Sequence, residues 1–371
     1  MMIAAQPLAP PQAPQDLTAN WLTETLRRSG ELPRGGEVAG FSASPIGEGV
    51  GLLGSLVRVT PTYSPGAPLG PASLVAKFST ANAENRAVAM AFGVYAREVG
   101  FYRHVAPHLA GAAPRCHAAE YDAASGASLL LLEDLDGYRL GDQVAGCTAA
   151  EAELLIELLV PLHARYWGRA DDPALDWAPR IDGPMQLEGF AQGCAAGWDP
   201  CAKRFGHVIA PEILAQRDRF VAAMPELSRR MAKPVQTLVH GDLRLDNLMF
   251  GARPGQRPAV AIDWIVTFSA GIHDLAYLLS QNLTIPERRA HERRLVAGYQ
   301  RRLHALGVEG YAAEQAWSDY LTAVLYMFSY GVLIAGALDA SNARAARMME
   351  QLMSRASAAV MDHGLLAQLP A

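Results

Sequence analysis

Up to about residue 135 the apolar residues of this chain recur in short alternating or β-rich runs; beyond Gly137 they recur at helical spacing. A period of two residues and a period of 3.6 cannot serve the same element, so this switch restricts the chain to segregated strands and helices, an α+β architecture. With 371 residues the chain is long enough for two lobes. We expect a Pro/Ala/Gln-rich disordered tail at 1–15, a β-rich N-lobe at 16–135 and a mostly helical C-lobe at 136–371, with a hinge near 133–140 and a ligand between the lobes.

In the N-lobe, residues 16–29 read as an amphipathic helix with Thr18 as N-cap and Trp21, Leu22 and Leu26 at helical spacing. Residues 38–45, 55–60 and 73–78 read as strands, and the Pro- and Gly-dense stretch 61–71 as a long hairpin loop. A single helix is expected over 85–105, with Val88, Phe92, Tyr95, Val99 and Tyr102 on one face. Segments 116–121 and 128–132 form a second hairpin. The C-lobe opens with a helix at 148–166, where Thr148 and Glu151 make a capping-box pattern. Further helices are expected at 211–231, 287–305, 313–338 and 341–360, interrupted by a strand-loop-strand island at 237–264.

Composition removes several classes of function. The net charge of −5 argues against a dedicated nucleic-acid binder. The four cysteines, Cys116, Cys147, Cys194 and Cys201, show no C-x-x-C spacing and fit a reducing, cytoplasmic setting. The N-terminus lacks a basic segment followed by an unbroken apolar run, so no signal peptide is read there. Residues 320–338 are uncharged and long enough to span a bilayer, but their polar and glycine content favours a buried helix, and no membrane partner is expected. Of the 32 basic residues only Lys77, Lys203 and Lys233 are lysines, so each lysine is informative.

The chemistry concentrates in Leu-Val-His-Gly-Asp-Leu-Arg-Leu-Asp-Asn-Leu-Met-Phe at 238–250, followed by Val-Ala-Ile-Asp-Trp at 260–264. Apolar strands flank polar loops carrying Asp242, Asn247 and Asp263. Any one of these residues alone would read as a turn or cap. Together they supply what phosphoryl transfer needs: a carboxylate for the hydroxyl proton, and an Asn oxygen and a second carboxylate for Mg²⁺.

His-Gly-Asp-x-x-x-x-Asn followed by Ile-Asp-Trp resembles the signature of the aminoglycoside phosphotransferase-like kinases. Leu-Val-Ala-Lys, Arg-Glu-Val-x-Phe-Tyr, Leu-Glu-Asp-Leu, Leu-His-Ala-Arg-Tyr-Trp and Asp-Leu-Ala-Tyr-Leu-Leu are most similar to the ecdysteroid-kinase-like branch. The resemblance spans about 16–340 and implies a bilobal protein-kinase-like fold with ATP and Mg²⁺ as cofactors. It implies Asp242 as catalytic base and Asn247 and Asp263 as metal ligands. Gly49, Gly51 and Gly54 form a GxGxxG between two strands, suited to close backbone approach to phosphates; the strand after it disfavours a dinucleotide-binding turn. Lys77 is implied to hold phosphates, Glu98 to orient Lys77, and the Glu133 C=O and Leu135 N–H to bond the adenine edge. Backbone reading of the base leaves ATP and GTP both open. Asp274 is implied to brace the catalytic loop or to cap a helix. His240 is read as shaping the loop, and His163 as a packing histidine. Ile265 departs from the branch, where a polar Gln is common.

The aromatics Tyr311, Trp317, Tyr320, Tyr326, Phe328 and Tyr330, with few acids nearby, point to a neutral or apolar alcohol rather than a polycation. The arginines at 288, 289, 293, 294, 301 and 302 read as a solvated helix face. The function expected is therefore an ATP-dependent small-molecule kinase, acting as a monomer or a homodimer on a hydroxyl substrate. The alternatives are an aminoglycoside or macrolide antibiotic kinase and a non-catalytic nucleotide-binding regulatory module.

Overall fold

The computed structural model describes residues 10–46, 54–337 and 342–370. The chain divides into two compact units, 1–136 and 137–371, an α+β arrangement with strands dominating the first and helices the second.

The N-terminal unit is built on an antiparallel five-stranded sheet in the order β1-β2-β3-β5-β4. Its strands are β1 (Val38–Ile46), β2 (Gly54–Tyr63), β3 (Leu74–Ser79), β4 (Cys116–Tyr121) and β5 (Ser128–Glu133). Helix α1 (Ala19–Arg28) is capped by Thr18, whose hydroxyl accepts from Trp21 N at 3.1 Å. The helix packs Trp21, Leu22 and Leu26 onto Val57, Val59, Leu74, Ala76, Phe78, Leu129 and Leu131 of the sheet, forming the apolar core of the unit.

Three N-terminal expectations are corrected. Residues 10–15 do not belong to a disordered tail: Pro14–Asp16 forms a 3₁₀ turn, Pro11 is buried, and the Asp16 carboxylate accepts from Gln12 N and Ala13 N. The proline-rich loop starts later than expected, because β2 runs on to Tyr63. Pro61 pairs with Phe41 of β1 beyond the last β3 pair, Val59↔Leu74, where the missing amide hydrogen leaves the β2–β3 ladder intact. The single helix over 85–105 is two: α2 (Ala83–Ala91) and α3 (Val94–His104), broken at left-handed Gly93 (φ 64°). The break turns Val88 and Phe92 outward, at 52% and 41% exposure, while Tyr95, Val99 and Tyr102 stay buried.

The C-terminal unit carries helices α4 (Ala149–Tyr166), α5 (Phe190–Phe205), α6 (Pro211–Leu214), α7 (Arg217–Ala232), α8 (Ile272–Tyr277), α9 (Ile285–Ala305), α10 (Ala313–Ala337) and α11 (Ala343–Asp362). The capping box of α4 is made, with Thr148 and Glu151 satisfying each other's backbone amides. Two small sheets sit among the helices. One pairs β6 (Arg139–Leu140), β8 (Leu248–Phe250) and β9 (Ala259–Ala261); the other pairs β7 (Gln236–Val239) with β10 (Thr267–Ala270). Helix α5, with the π-helical stretch Met185–Gly189 leading into it, is absent from the sequence reading; its Gly and Pro content hides the apolar stripe of Cys194, Trp198, Cys201 and Phe205.

Among the described residues α10 is the one helix long and apolar enough to cross a membrane. It packs against α5, α7, α8, α9 and α11, which cover most of its apolar side chains. Tyr320, Tyr326 and Phe328 are core residues of this packing, which removes them from the aromatic set expected to face a substrate. Arg288 also departs from expectation. It is fully buried, donating to Glu292 at 2.9 Å and pairing with Asp362, while Glu292 also accepts from Tyr320 at 3.0 Å.

The α5–α10 crossing depends on Gly336, because a Cβ there would lie 2.2 Å from Gly197 Cα. Backbone cannot yield as a flexible side chain does, so Gly336→Ala should destabilise the unit by about 1–3 kcal/mol or more. Urea unfolding checks this; a midpoint equal to wild type would show that the helices separate freely.

Candidate active site

The segment between β7 and β8 holds Asp242 and Asn247 and is tied down at nearly every residue. Its first anchor is Asp274, fully buried in the first turn of α8. The Asp274 carboxylate accepts from His240 N at 2.6 Å, Gly241 N at 3.1 Å and His163 Nε2 at 3.2 Å. Burial pushes the Asp274 carboxyl up, and the His163 hydrogen bond with the neighbouring histidines outweighs it, holding the group below its ordinary value. His163 is completed by Tyr299, whose hydroxyl lies 2.9 Å from Nδ1. Left-handed Gly241 (φ 86°) lets the chain turn so that two successive amides face one carboxylate.

His240 shapes the loop from within. Its Nδ1 accepts from Asp242 N at 3.2 Å, so Nε2 carries the hydrogen and donates to Ile262 O at 3.0 Å. Burial lowers its pKa and keeps the ring neutral, and it stands 4.5 Å from the Trp264 ring. Further along, Leu243 O accepts from Asn282 at 2.6 Å and Leu245 N donates to Gln143 at 2.7 Å. Asp246 takes a bidentate bond from Arg344, both distances 3.0 Å.

Asp242 itself is held at both carboxylate oxygens. Asn247 Nδ2 donates to Oδ2 at 2.9 Å and to the Asp242 carbonyl at 2.9 Å; the Tyr277 hydroxyl donates to Oδ1 at 3.3 Å. Arg244 Nε lies 3.4 Å from Oδ2 and 3.3 Å from Asn247 Oδ1. The Asp242 charge beside it raises the Arg244 guanidinium pKa further and keeps it cationic.

Asp263 follows β9. Pairing of Leu248 with Ala261 puts Asn247 and Asp263 at the same end of the β8–β9 hairpin, and Ile262 N donates to Asn247 O at 2.9 Å. Asp263 is the one non-glycine residue with positive φ (57°) among the described residues. Such strain persists where surrounding contacts impose it, and it concentrates at functional sites.

In the N-terminal unit, Lys77 lies on β3, paired with Leu56 of β2 and Leu130 of β5. Its Nζ donates to Glu98 Oε1 of α3 at 2.7 Å, and Glu98 is buried. Gly54 opens β2, while Gly49 and Gly51 lie outside the described residues. Glu133 ends β5, its carboxylate accepting from Arg115 N at 3.0 Å. Leu135 is buried, and Asp134 between them takes two bonds from Arg58, at 2.7 and 3.2 Å.

The structure thus joins Asp242 with Asn247, places Asp263 beside them on the hairpin, and joins Lys77 with Glu98. Sequence reasoning missed Tyr277, Arg244, Arg344 and Arg58. Tyr277 stands one helical turn beyond Asp274 in the quoted Asp-Leu-Ala-Tyr segment, a spacing that places both on one face of α8. All four cysteines are free; Cys147, Cys194 and Cys201 are buried, and desolvation pushes each thiol up to about 12.

Residues 49–170 and 186–307 match the ecdysteroid kinase-like family. No curated relative matches the sequence. Among solved structures, the chain is similar to choline kinase from Cryptosporidium parvum Iowa II, at 11% identity and TM-score 0.51, over 88% of this chain and 90% of that one. It is also similar to an ethanolamine kinase from Plasmodium vivax (12% identity, TM-score 0.48, 86% and 81% covered). A macrolide 2'-phosphotransferase from Brachybacterium faecium gives 17% identity and TM-score 0.44, with 91% and 98% covered. At these identities the likeness is one of fold, and the fold is protein-kinase-like.

Replacing Asp274 with Asn leaves two loop amides facing a neutral, weaker acceptor. Asp274→Asn should lower stability at neutral pH by about 2–3 kcal/mol. Because the folded-state pKa is depressed, the Asp274 contribution is present above the unfolded value near 4 and fades as pH falls below it. Denaturation midpoints of wild type and variant should therefore converge below about pH 4; a gap independent of pH would refute the charged brace.

Proposed function

Because the chain belongs to the ecdysteroid kinase-like family, we propose that it is an ATP- and Mg²⁺-dependent kinase that phosphorylates a hydroxyl group of a small neutral or apolar molecule. The observation that carries this reading is the Asp242 carboxylate held at both oxygens, with the Asn247 carboxamide on one of them.

Asp242 accepts the proton of the acceptor hydroxyl. Lys77 binds nucleotide phosphate oxygens, and Glu98 fixes where its ammonium can point. Gly54, which opens β2, allows close backbone approach to the phosphates, and the Glu133 C=O and Leu135 N–H bond the base edge. Asn247 Oδ1 and the Asp263 carboxylate would hold Mg²⁺. The donor set fits that ion: both are hard oxygens, carried at one end of the β8–β9 hairpin on segments joined by the Ile262 N to Asn247 O hydrogen bond. Mg²⁺ characteristically takes one or two protein oxygens and completes its shell with water and phosphate oxygens. When bound, it neutralises charge on the phosphates. Loop and hairpin are tied in advance, so little reorganisation accompanies transfer.

Arg244 beside Asp242 and Arg344 on Asp246 make this loop a poor neighbour for a polycation, which supports a neutral or apolar acceptor. Tyr330, half-buried, stacks parallel to Tyr326 with centroids 6.3 Å apart and meets Phe190 at 5.4 Å; of the three aromatics of the expected set left out of the core, with Tyr311 and Trp317, it is the one we assign to an acceptor wall. The unpaired cysteines suit a reducing, cytoplasmic location.

ADP release with Mg·ATP, measured across sterols, amino alcohols, sugars, aminoglycosides and macrolides, tests the proposal. One neutral alcohol should stimulate release, and Asp242→Asn should lose at least about 100-fold in kcat while keeping its affinity for Mg·ATP. Turnover unchanged in Asp242→Asn would reject Asp242 as base. Stimulation confined to aminoglycosides would replace the acceptor class, and Mg·ATP binding without any transfer would leave a regulatory module.

A further inference from the structure

The two oxygens of Asp242 are not equivalent. Oδ2 receives Asn247 Nδ2 at 2.9 Å and has Arg244 Nε at 3.4 Å, whereas the hydrogen bond to Oδ1 comes from the Tyr277 hydroxyl at 3.3 Å. An ionised carboxylate oxygen has two lone pairs, so Oδ1 can keep the phenol and still accept an incoming proton. Oδ2 is crowded by an amide and a guanidinium. Tyr277 is only 5% exposed, and α8, which carries it, is the helix whose Asp274 fixes the loop backbone.

We infer that Tyr277 is a positioning residue for the transfer step: its hydroxyl selects Asp242 Oδ1 as the proton acceptor and holds that oxygen toward the acceptor alcohol. The inference rests on the kinase reading above. In the step, the acceptor O–H bond breaks and its proton passes to Asp242 Oδ1. The acceptor oxygen bonds to the γ-phosphorus. The bond from that phosphorus to the β–γ bridging oxygen breaks, and ADP leaves with the electron pair. Tyr277 keeps its own proton throughout. Burial raises the phenol pKa well above 10, and the Asp242 charge raises it further, so the hydroxyl remains a donor. One rigid helix then controls both the loop backbone, through Asp274, and the carboxylate plane, through Tyr277.

The test is a double-mutant cycle on Mg·ATP turnover, with wild type, Tyr277→Phe, Asp242→Asn and the double variant. Tyr277→Phe should lower kcat roughly tenfold, the scale of one lost orienting hydrogen bond, with the KM for Mg·ATP within about twofold of wild type. On the Asp242→Asn background the same substitution should change nothing further, because the carboxylate it orients is gone. Wild-type kcat in Tyr277→Phe overturns the inference, as does an equal loss on both backgrounds, which would mark a general effect on the fold. In protein labelled with ¹³Cζ-tyrosine, Asp242→Asn should shift the phenol resonance of Tyr277; an unmoved set of tyrosine resonances also overturns the inference, whether or not Tyr277→Phe folds. Failure of the kinase reading looks different: wild type itself then shows no Asp242-dependent turnover.

Discussion

The Asp274 carboxylate is the constraint from which the C-terminal site is built. A fully buried carboxylate is costly unless every lone pair has work to do. Here two successive backbone amides and a histidine ring nitrogen supply the donors. The arrangement is reciprocal: the amides of His240 and Gly241 cannot join a strand ladder at this turn, and the carboxylate gives them their partner. Once those amides are fixed, His240 points its ring so that one nitrogen receives Asp242 N and the other reaches Ile262 O. One buried charge therefore sets the backbone that carries Asp242 and links it to the segment that carries Asp263.

The Lys77–Glu98 pair does comparable work in the N-terminal unit by different means. Lys77 sits on the middle strand of five, held in register on both sides, so its Cα position is defined by the sheet rather than by a loop. A lysine side chain has four rotatable bonds and is poorly positioned by packing alone. A buried carboxylate at 2.7 Å removes that freedom. The break at Gly93 contributes as well, since it lets α3 take its own direction and keep Glu98, Val99 and Tyr102 buried while α2 turns Val88 outward.

What could be read from the sequence followed the reach of local rules. Thr18 and the Thr148–Glu151 box mark helix starts because a cap is satisfied within three residues. The motif at 238–264 is legible because its strands are apolar and its loops are not. The errors arise where tertiary context decides. Arg288 looks like a solvated arginine in its own helix and is buried because Glu292 and Asp362 meet it there. Tyr320, Tyr326 and Phe328 look like a binding stripe and are core because α10 is surrounded by five helices. Helix α5 escaped notice because Gly193 and Gly197, which allow close approach to α10, dilute the apolar pattern. The partners of Asp242 are invisible as partners in the sequence: nothing in the spacing of Asn247 or Tyr277 says which carboxylate its side chain meets.

The charges around the loop are arranged in local pairs. Asp242, Asp246, Asp263 and Asp274 crowd into the loop and its supports, and each of the first two faces an arginine, Arg244 or Arg344. Two of the four carboxylates are thus offset by a neighbouring guanidinium, while Asp274 is satisfied by backbone amides and the His163 ring. Arg244 adds a second consequence. Its guanidinium lies against both Asp242 and Asn247 Oδ1, so cationic charge is present at both side chains. The loop is braced from His240 to Asn247, so Arg244 meets a carboxylate and a carboxamide whose positions the backbone already fixes.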